Sequence, residues 1–215
     1  RLYGAMLGDV CRAVQAGGAD LLVNYRPADQ VPVDVDPEAA LREHLTELLD
    51  SPDEARYEVQ VGETKAGRVG NTVSHLLTEE EVDAAAAVEP TAAFLSREHL
   101  GTAAMHLRSN DVVLGPTTAG RVYFAGFREP VDFTDAYAPP AVETLTDRAA
   151  DAGLGTTFMP LLPVMETGED LLTAVSLLRA RQRAGRNVPP LTATTLDDLG
   201  VEVVDGEVAV GSDSS

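Results

Sequence analysis

The chain carries the sequence DVVLGPTTAGRVYFAGF at residues 111–127, and this stretch decides the fold class. Residues 111–115 and 121–127 are rich in valine, leucine and aromatic side chains, which favour strands. Pro116 and Gly120 stand between them, and both residue types are typical of turns. The stretch therefore predicts two neighbouring strands joined by a short Thr/Gly loop.

Helix and strand patterns alternate on both sides of this stretch. Apolar residues at helical spacing predict helices at residues 2–16, 37–50, 68–77, 91–108, 140–152 and 169–182. Alternating or short apolar runs predict strands at residues 19–25, 57–61, 82–88, 157–162, 201–204 and 208–210, although the alanines of residues 82–88 also fit a helix. Such units indicate an α/β, three-layer, Rossmann-like domain with a mainly parallel, mixed sheet.

The domain organisation follows from the same pattern. No repeat or low-complexity linker divides the chain, so residues 1–210 are expected to form a single domain and residues 211–215 a disordered tail. Sheets of this class place ligands beyond the carboxyl ends of their strands. The loops after the strands are therefore the segments in which to search for a site.

The charge balance excludes some partners. The 215 residues include 16 basic and 35 acidic side chains, a formal net charge of -19, which argues against binding nucleic acid or an anionic membrane. Lys65 is the sole lysine among the basic residues. An acidic, lysine-poor composition is typical of salt-adapted, halophilic proteins, so most carboxylates are expected to serve solvation.

Several common site types are absent from the sequence. It has no G-x-S-x-G, no G-x-x-x-x-G-K-[ST], no G-x-G-x-x-G and no H-E-x-x-H. Cys11 is the only cysteine, which excludes a disulfide within the chain and favours a reducing, cytoplasmic location. No run of roughly 20 apolar residues predicts a membrane span. Asn71 follows a loop and helix start at residues 67–70 that fits either an anion-binding helix N-terminus or a simple helix cap.

Three segments resemble one known family. Gly115-Pro116, Gly120, Tyr123 and Gly126 fit the pattern V-L-G-P, short loop, D-G-G-Y, strand and Gly of the nucleotide-diphospho-sugar transferase-like proteins, a glycosyltransferase-like family. Gln60-Val61-Gly62 and residues 166–171 (ETGEDL) agree with two further family segments in order and spacing. The resemblance spans most of the chain, to about Leu178. The chain resembles a divergent, haloarchaeal-type member of this family.

The resemblance implies a GT-A type fold with a nucleotide at the strand ends and a divalent metal, Mg²⁺ or Mn²⁺, on its phosphates. It implies Glu89 and Glu166 as metal ligands, and it implies a substrate pocket formed by Gly115, Pro116, Gly120, Arg121, Tyr123 and Asn71. The chain departs from the family pattern at Val88, which stands where the family has its metal-binding Asp, and at Arg121, in the loop that has lost its acid. The family's first strand and nucleotide loop are expected before Arg1.

The three charged positions also have plain structural interpretations. Glu89 fits an acid at a helix N-terminus, Glu166 fits a helix cap, and Arg121 fits a partner for a surface acid. Because neighbouring strand residues face opposite ways, Glu89 reaches the position of the family's Asp only if the strand ends before it. Each interpretation stays open on the sequence alone.

The sequence thus leads to one main function and one alternative. The first is a divergent, metal-dependent nucleotidyl- or glycosyl-transferase acting on a nucleotide or nucleotide-sugar, and the second is a non-catalytic relative that binds a ligand or partner.

A separate feature concerns assembly: residues 171–196 lack Asp and Glu but contain Arg179, Arg181, Arg183 and Arg186. This segment is expected to face another subunit in a homo-oligomer, an acidic patch of its own chain or an anionic ligand.

Overall fold

A computed structural model of the chain describes residues 1–32 and 35–211. Its helices are α1 (Leu2–Ala16), α2 (Pro37–Thr46), α3 (Lys65–Thr78), α4 (Arg97–Leu107), α5 (Ala141–Asp151), α6 (Gly168–Arg183) and α7 (Pro190–Asp198). Its strands are β1 (Leu22–Tyr25), β2 (Arg56–Val59), β3 (Ala85–Val88), β4 (Val112–Pro116), β5 (Val122–Phe127), β6 (Thr156–Phe158), β7 (Val201–Val204) and β8 (Glu207–Val210). The α/β alternation predicted from the sequence is confirmed. The predicted disordered tail falls, apart from Gly211, outside the described residues.

The central sheet has four strands in the order β3-β5-β4-β6. Strand β5 lies antiparallel to both β3 and β4, whereas β4 and β6 are parallel. Strands β3, β4 and β6 therefore run in the same direction, and their carboxyl ends meet at one edge of the sheet together with the start of β5. The sheet is mixed, as expected.

A bulge lies at the edge where these ends meet. Gly115 pairs with Phe124 and Pro116 pairs with Val122, so Tyr123 is an extra residue in β5. An extra residue increases the local twist and re-aims the side chains around it. The neighbouring residues Tyr123 and Phe124 consequently lie in the same apolar cluster, whereas Val122 and Ala125 lie in the cluster on the other face of the sheet.

Helices cover both faces of the central sheet. On one face, Val112 and Leu114 of β4 pack in a cluster with Val73 of α3 and Leu145 of α5. On the other face, Val113 packs in a cluster with residues of α1 and α4. Successive strand residues point to opposite faces, so this alternation of buried valine and leucine explains the three layers. The fold-class prediction is confirmed.

Two smaller sheets complete the architecture. Strands β1 and β2 form a parallel pair in which Leu22 lies opposite Arg56. Strands β7 and β8 form a hairpin that packs against α6. Among the described residues, no strand pairs with the free edge of β3 or with the second edge of β1. The single-domain boundary and a first strand before Arg1 stay predictions.

Helix α7 was not predicted from the sequence, and α4 begins six residues later than expected. Residues 91–96 form turns, and the Ser96 side chain then caps α4 together with His99. The N-terminus of α7 is held from a distance, because the buried carboxylate of Asp9 accepts hydrogen bonds from the N–H groups of Leu191 and Thr192 at 3.1 and 2.8 Å. A cap supplied from 180 residues away leaves no local signal in the sequence.

Strand β6 is shorter than predicted. It ends at Phe158, whereas the apolar pattern continues to Leu162. Pro160 lies in this segment, and proline has no N–H with which to continue a ladder. Among the helices of residues 1–32 and 35–211, none has the length and apolarity needed to cross a membrane.

Candidate functional site

A cavity of about 150 Å³ opens at the sheet edge where the carboxyl ends of β3 and β4 meet the start of β5. It is lined by Lys65, Arg121, Val122, Tyr137, Pro139, Ala141 and Glu166. Lys65 is the first residue of α3, and Arg121 immediately precedes β5. The structure therefore brings together two of the predicted site residues, Arg121 and Glu166, with a lysine and a tyrosine that the sequence analysis did not select.

Arg121 is the centre of a charged network on one wall. Its Nη1 donates to Glu166 Oε2 at 2.5 Å, and its Nη2 donates to Asp170 Oδ1 at 2.7 Å. Its Nε and Nη2 also donate to the backbone carbonyl and the hydroxyl of Thr118, at 3.1 and 2.9 Å. The guanidinium is thus fixed between the loop before β5 and the start of α6.

Asp170 anchors that network. Its second oxygen accepts the backbone N–H groups of Glu166 and Thr167, while Thr167 in turn caps α6. Burial raises the pKa of Asp170, but hydrogen bonds from Arg121, Thr118 and Thr167 outweigh that effect and lower it to about 2. Asp170 is therefore ionised at neutral pH and holds Arg121 in place.

Lys65 forms the second ion pair of the site. Its Nζ lies 2.5 Å from Glu89 Oε1 and 5.1 Å from the centre of the Tyr137 ring. Strand β3 ends at Val88, so Glu89 has left the strand, although its N–H still donates to the Tyr123 carbonyl at 2.9 Å. Burial raises the pKa of Glu89, and the Lys65 charge opposes that shift.

Tyr137 contributes a polar group without a partner. Its hydroxyl is buried and has no hydrogen-bond partner among the described residues. Burial, and then the charge of Glu89, raise the pKa of Tyr137 above its ordinary value, so the hydroxyl keeps its proton. Tyr137 is one of the residues that line the cavity, so a ligand bound there would lie beside a side chain whose hydroxyl has no partner among the described residues.

Both predicted metal ligands, Glu89 and Glu166, are paired with basic side chains. Within residues 1–32 and 35–211, no three His, Cys, Asp or Glu side chains gather as a metal site requires. Glu89 is paired with Lys65, and Glu166 is paired with Arg121 while also accepting a hydrogen bond from Thr91 at 3.2 Å. Mg²⁺ takes oxygen ligands, and here a lysine or an arginine places positive charge beside each candidate carboxylate. Mg²⁺ or Mn²⁺ binding by Glu89 and Glu166 stays a prediction.

Four other predicted substrate residues, Gly115, Pro116, Gly120 and Tyr123, are not among the described residues that line the cavity. Gly115 lies where a Cβ would stand 2.6 Å from Tyr123 Cζ, so its small size serves packing. The Tyr123 ring is fully buried in the cluster on the opposite face, and its hydroxyl donates to the Pro160 carbonyl at 3.0 Å. Pro116 ends β4, and Gly120 has a positive φ of 67° in the loop that delivers Arg121.

Asn71 lies farther along α3, on the second turn after Lys65. Its side-chain amide donates to the Val61 carbonyl at 2.8 Å and ties the helix to the segment after β2. Of the two interpretations given above for this helix start, the capped helix agrees with the Thr64 hydroxyl, which accepts from the Gly67 N–H. The role of Asn71 in substrate binding stays a prediction.

The arginine-rich segment is used partly within the chain. Arg179 Nη2 donates to the Val201 carbonyl at 2.5 Å and lies 3.8 Å from Asp197. The Arg181 guanidinium lies 5.2 Å from the centre of the Phe94 ring. Arg183 and Arg186 are exposed, and their part in a homo-oligomer stays a prediction.

Comparisons with known proteins support the fold. No protein-family model and no curated protein matches the sequence. A crystal structure from Desulfovibrio desulfuricans G20, described as that of a "putative nucleotide-diphospho-sugar transferase", superposes with a TM-score of 0.70 at 18% identity, covering 92% of this chain and 82% of that one. The chain therefore has the fold of a nucleotide-diphospho-sugar transferase-like protein, as the sequence motifs around Gly115 and Glu166 implied.

Proposed function

We propose that this chain is a nucleotidyl- or glycosyl-transferase that binds a nucleotide or nucleotide-sugar in the cavity between Lys65 and Arg121. The observation that supports the proposal is the position of these two cations, beyond the carboxyl ends of the strands, which is where sheets of this type bind ligands. Two cations in one cavity are notable in a chain of net charge -19. They suit a ligand that carries phosphate.

Transfer from a nucleotide requires little covalent chemistry from the protein. It requires positive charge on the departing phosphates and a fixed geometry between the acceptor and the reacting centre. Lys65 and Arg121 supply the charge in this proposal, and the Asp170 network keeps Arg121 in position. The Pro139 and Val122 walls would orient the remaining part of the ligand.

Calorimetry with a panel of nucleoside triphosphates and nucleotide-sugars tests the proposal. The assay belongs in concentrated KCl, since a salt-adapted surface is expected, and each ligand is titrated in EDTA, in Mg²⁺ and in Mn²⁺. We expect one nucleotide class to bind. Lys65→Met should weaken the binding of that nucleotide at least about tenfold, since a charge-assisted hydrogen bond contributes ~1.5–3 kcal/mol. Arg128→Met, at an exposed arginine just after β5, is the matched control.

A non-catalytic, ligand-binding relative is the second candidate. The specific observation in its favour is that Glu166, the carboxylate that lines the cavity, is held by Arg121 and Thr91. A carboxylate so engaged is a poor general base. Chromatography of the nucleotide after incubation with the protein and candidate acceptors separates the two functions. Nucleotide binding without product formation would select the binding protein, and binding with product formation would select the transferase. A cytoplasmic location stays a prediction under either function.

A further inference from the structure

We infer that the cavity holds a diphosphate directly on Lys65, Arg121 and Tyr137, with no divalent cation between the protein and the phosphates. The inference rests on the proposed function, because it concerns the phosphates of the nucleotide ligand. It adds which side chains bind the phosphates and that they do so without a metal ion. Three separate features of the cavity lead to it.

The first feature is the supply of free hydrogen-bond donors. Arg121 has five N–H donors, and four of them serve Thr118, Glu166 and Asp170. Lys65 has three donors and one carboxylate partner, Glu89, among the described residues. The remaining donors face a ligand that accepts hydrogen bonds at several oxygens, which is the chemistry of a diphosphate.

The second feature is the Tyr137 hydroxyl. A buried hydroxyl without a partner costs about 1–3 kcal/mol, so a native structure seldom keeps one without a use. The hydroxyl retains its proton and lies on the residue whose ring is 5.1 Å from Lys65 Nζ. In the inferred complex, this hydroxyl donates to a phosphate oxygen that is bound to Lys65.

The third feature is the cost of inserting a metal. A divalent cation held by Glu89 and Glu166 would carry its charge next to the Lys65 ammonium and the Arg121 guanidinium that already pair with these carboxylates. A phosphate can add to the same lysine and arginine while both ion pairs remain, because each cation has donors left over. The N–H donors that Lys65 and Arg121 keep free therefore favour a ligand that accepts hydrogen bonds at this position.

Titration calorimetry with inorganic pyrophosphate tests the inference. We expect pyrophosphate to bind in the presence of EDTA. Replacing EDTA with Mg²⁺ should not raise the affinity of the protein for pyrophosphate. Lys65→Met should weaken binding at least about tenfold. Tyr137→Phe should weaken it about threefold to tenfold, the value of one neutral hydrogen bond. Arg128→Met should leave it unchanged.

Tyr137→Phe also separates ligand binding from folding. Because its hydroxyl has no protein partner, removing it should leave the free energy of unfolding unchanged or slightly higher, while the affinity for pyrophosphate falls. A variant that binds pyrophosphate as tightly as the natural chain would overturn the role of Tyr137 in the site.

The outcomes distinguish this inference from the proposed function. If a nucleotide binds with Mg²⁺ and neither it nor pyrophosphate binds in EDTA, the inference is wrong and the proposed function stands. If neither pyrophosphate nor any nucleotide binds under either condition, both are wrong. Binding of pyrophosphate in EDTA that Lys65→Met abolishes supports the inference.

Discussion

Arg121→Met removes the charge that joins the loop before β5 to the start of α6. Methionine keeps much of the apolar stem but donates no hydrogen bond, so Glu166 and Asp170 lose their shared cation. Asp170 is nearly inaccessible, with 4% of its side chain exposed, whereas Glu166 is 28% exposed. The unpaired charge of Asp170 should therefore dominate the loss of stability.

The size of the loss follows from two independent estimates. Removing one partner of a buried ion pair costs ~3–5 kcal/mol, and the partial exposure of Arg121 and Glu166 reduces that figure. The lowering of the Asp170 pKa from 3.8 to about 2 corresponds to about 2 kcal/mol, which Arg121 shares with Thr118 and Thr167. We expect Arg121→Met to lower the free energy of unfolding by about 2–3 kcal/mol.

The pH dependence provides a more specific signature. Since the pKa of Asp170 is lower in the folded chain than in the unfolded one, its contribution is complete above about pH 4 and is lost as the pH falls toward about 2. In the Arg121→Met variant this pKa moves back toward 3.8, so the loss of stability over the same pH range becomes smaller.

Urea unfolding from pH 2 to pH 7, followed by circular dichroism, measures both effects. Arg128→Met controls for removing an arginine from an acidic chain, and it should change the free energy of unfolding by less than about 0.5 kcal/mol. If Arg121→Met matches that control, or if it is destabilised with an unaltered pH profile, the network does not hold Arg121 as argued.

Two further changes test the framework around the site. Asp9→Ala removes the acceptor for two buried N–H donors of α7 and should cost about 2–3 kcal/mol in urea unfolding, whereas Asp9→Asn, which keeps one acceptor, should cost less; equal losses would contradict the capping role. Gly115→Ala places a Cβ 2.6 Å from the buried Tyr123 ring and should cost ~1–3 kcal/mol by overpacking. Gly101→Ala, in an exposed turn of α4 with no atom outside the local helix backbone within 4 Å of the added Cβ, should gain ~0.5–1 kcal/mol in urea unfolding, and similar results for the two glycines would refute the packing argument.

Much of the framework was predictable because its signals are local. The apolar alternation around residues 111–127 predicted β4 and β5, and Gly120 correctly marked the loop between them. Helix α3 was predicted from its apolar spacing, although its start at Lys65 came three residues earlier than the pattern indicated. The Thr64 hydroxyl sets that start, and a threonine cap is visible in the sequence once its position is known.

The candidate site was predictable only in part. Glu89, Arg121 and Glu166 were selected from the sequence through the family resemblance, and the structure places all three at one edge of the sheet. Lys65 and Tyr137 were not selected, since neither belongs to a motif. The single available signal was that Lys65 is the only lysine in a strongly acidic chain.

The sequence by itself determined the fold class and the order of the helices and strands apart from α7, and it predicted a ligand at the carboxyl ends of the strands. Those properties depend on periodicity and turn residues, which act over a few positions. The tertiary structure alone decided which charges meet, because Arg121 and Glu166 lie 45 residues apart and are joined only by the pairing of β4 with β5 and by the cap of α6. It also paired Glu89 with Lys65, a contact that no motif in the sequence indicates.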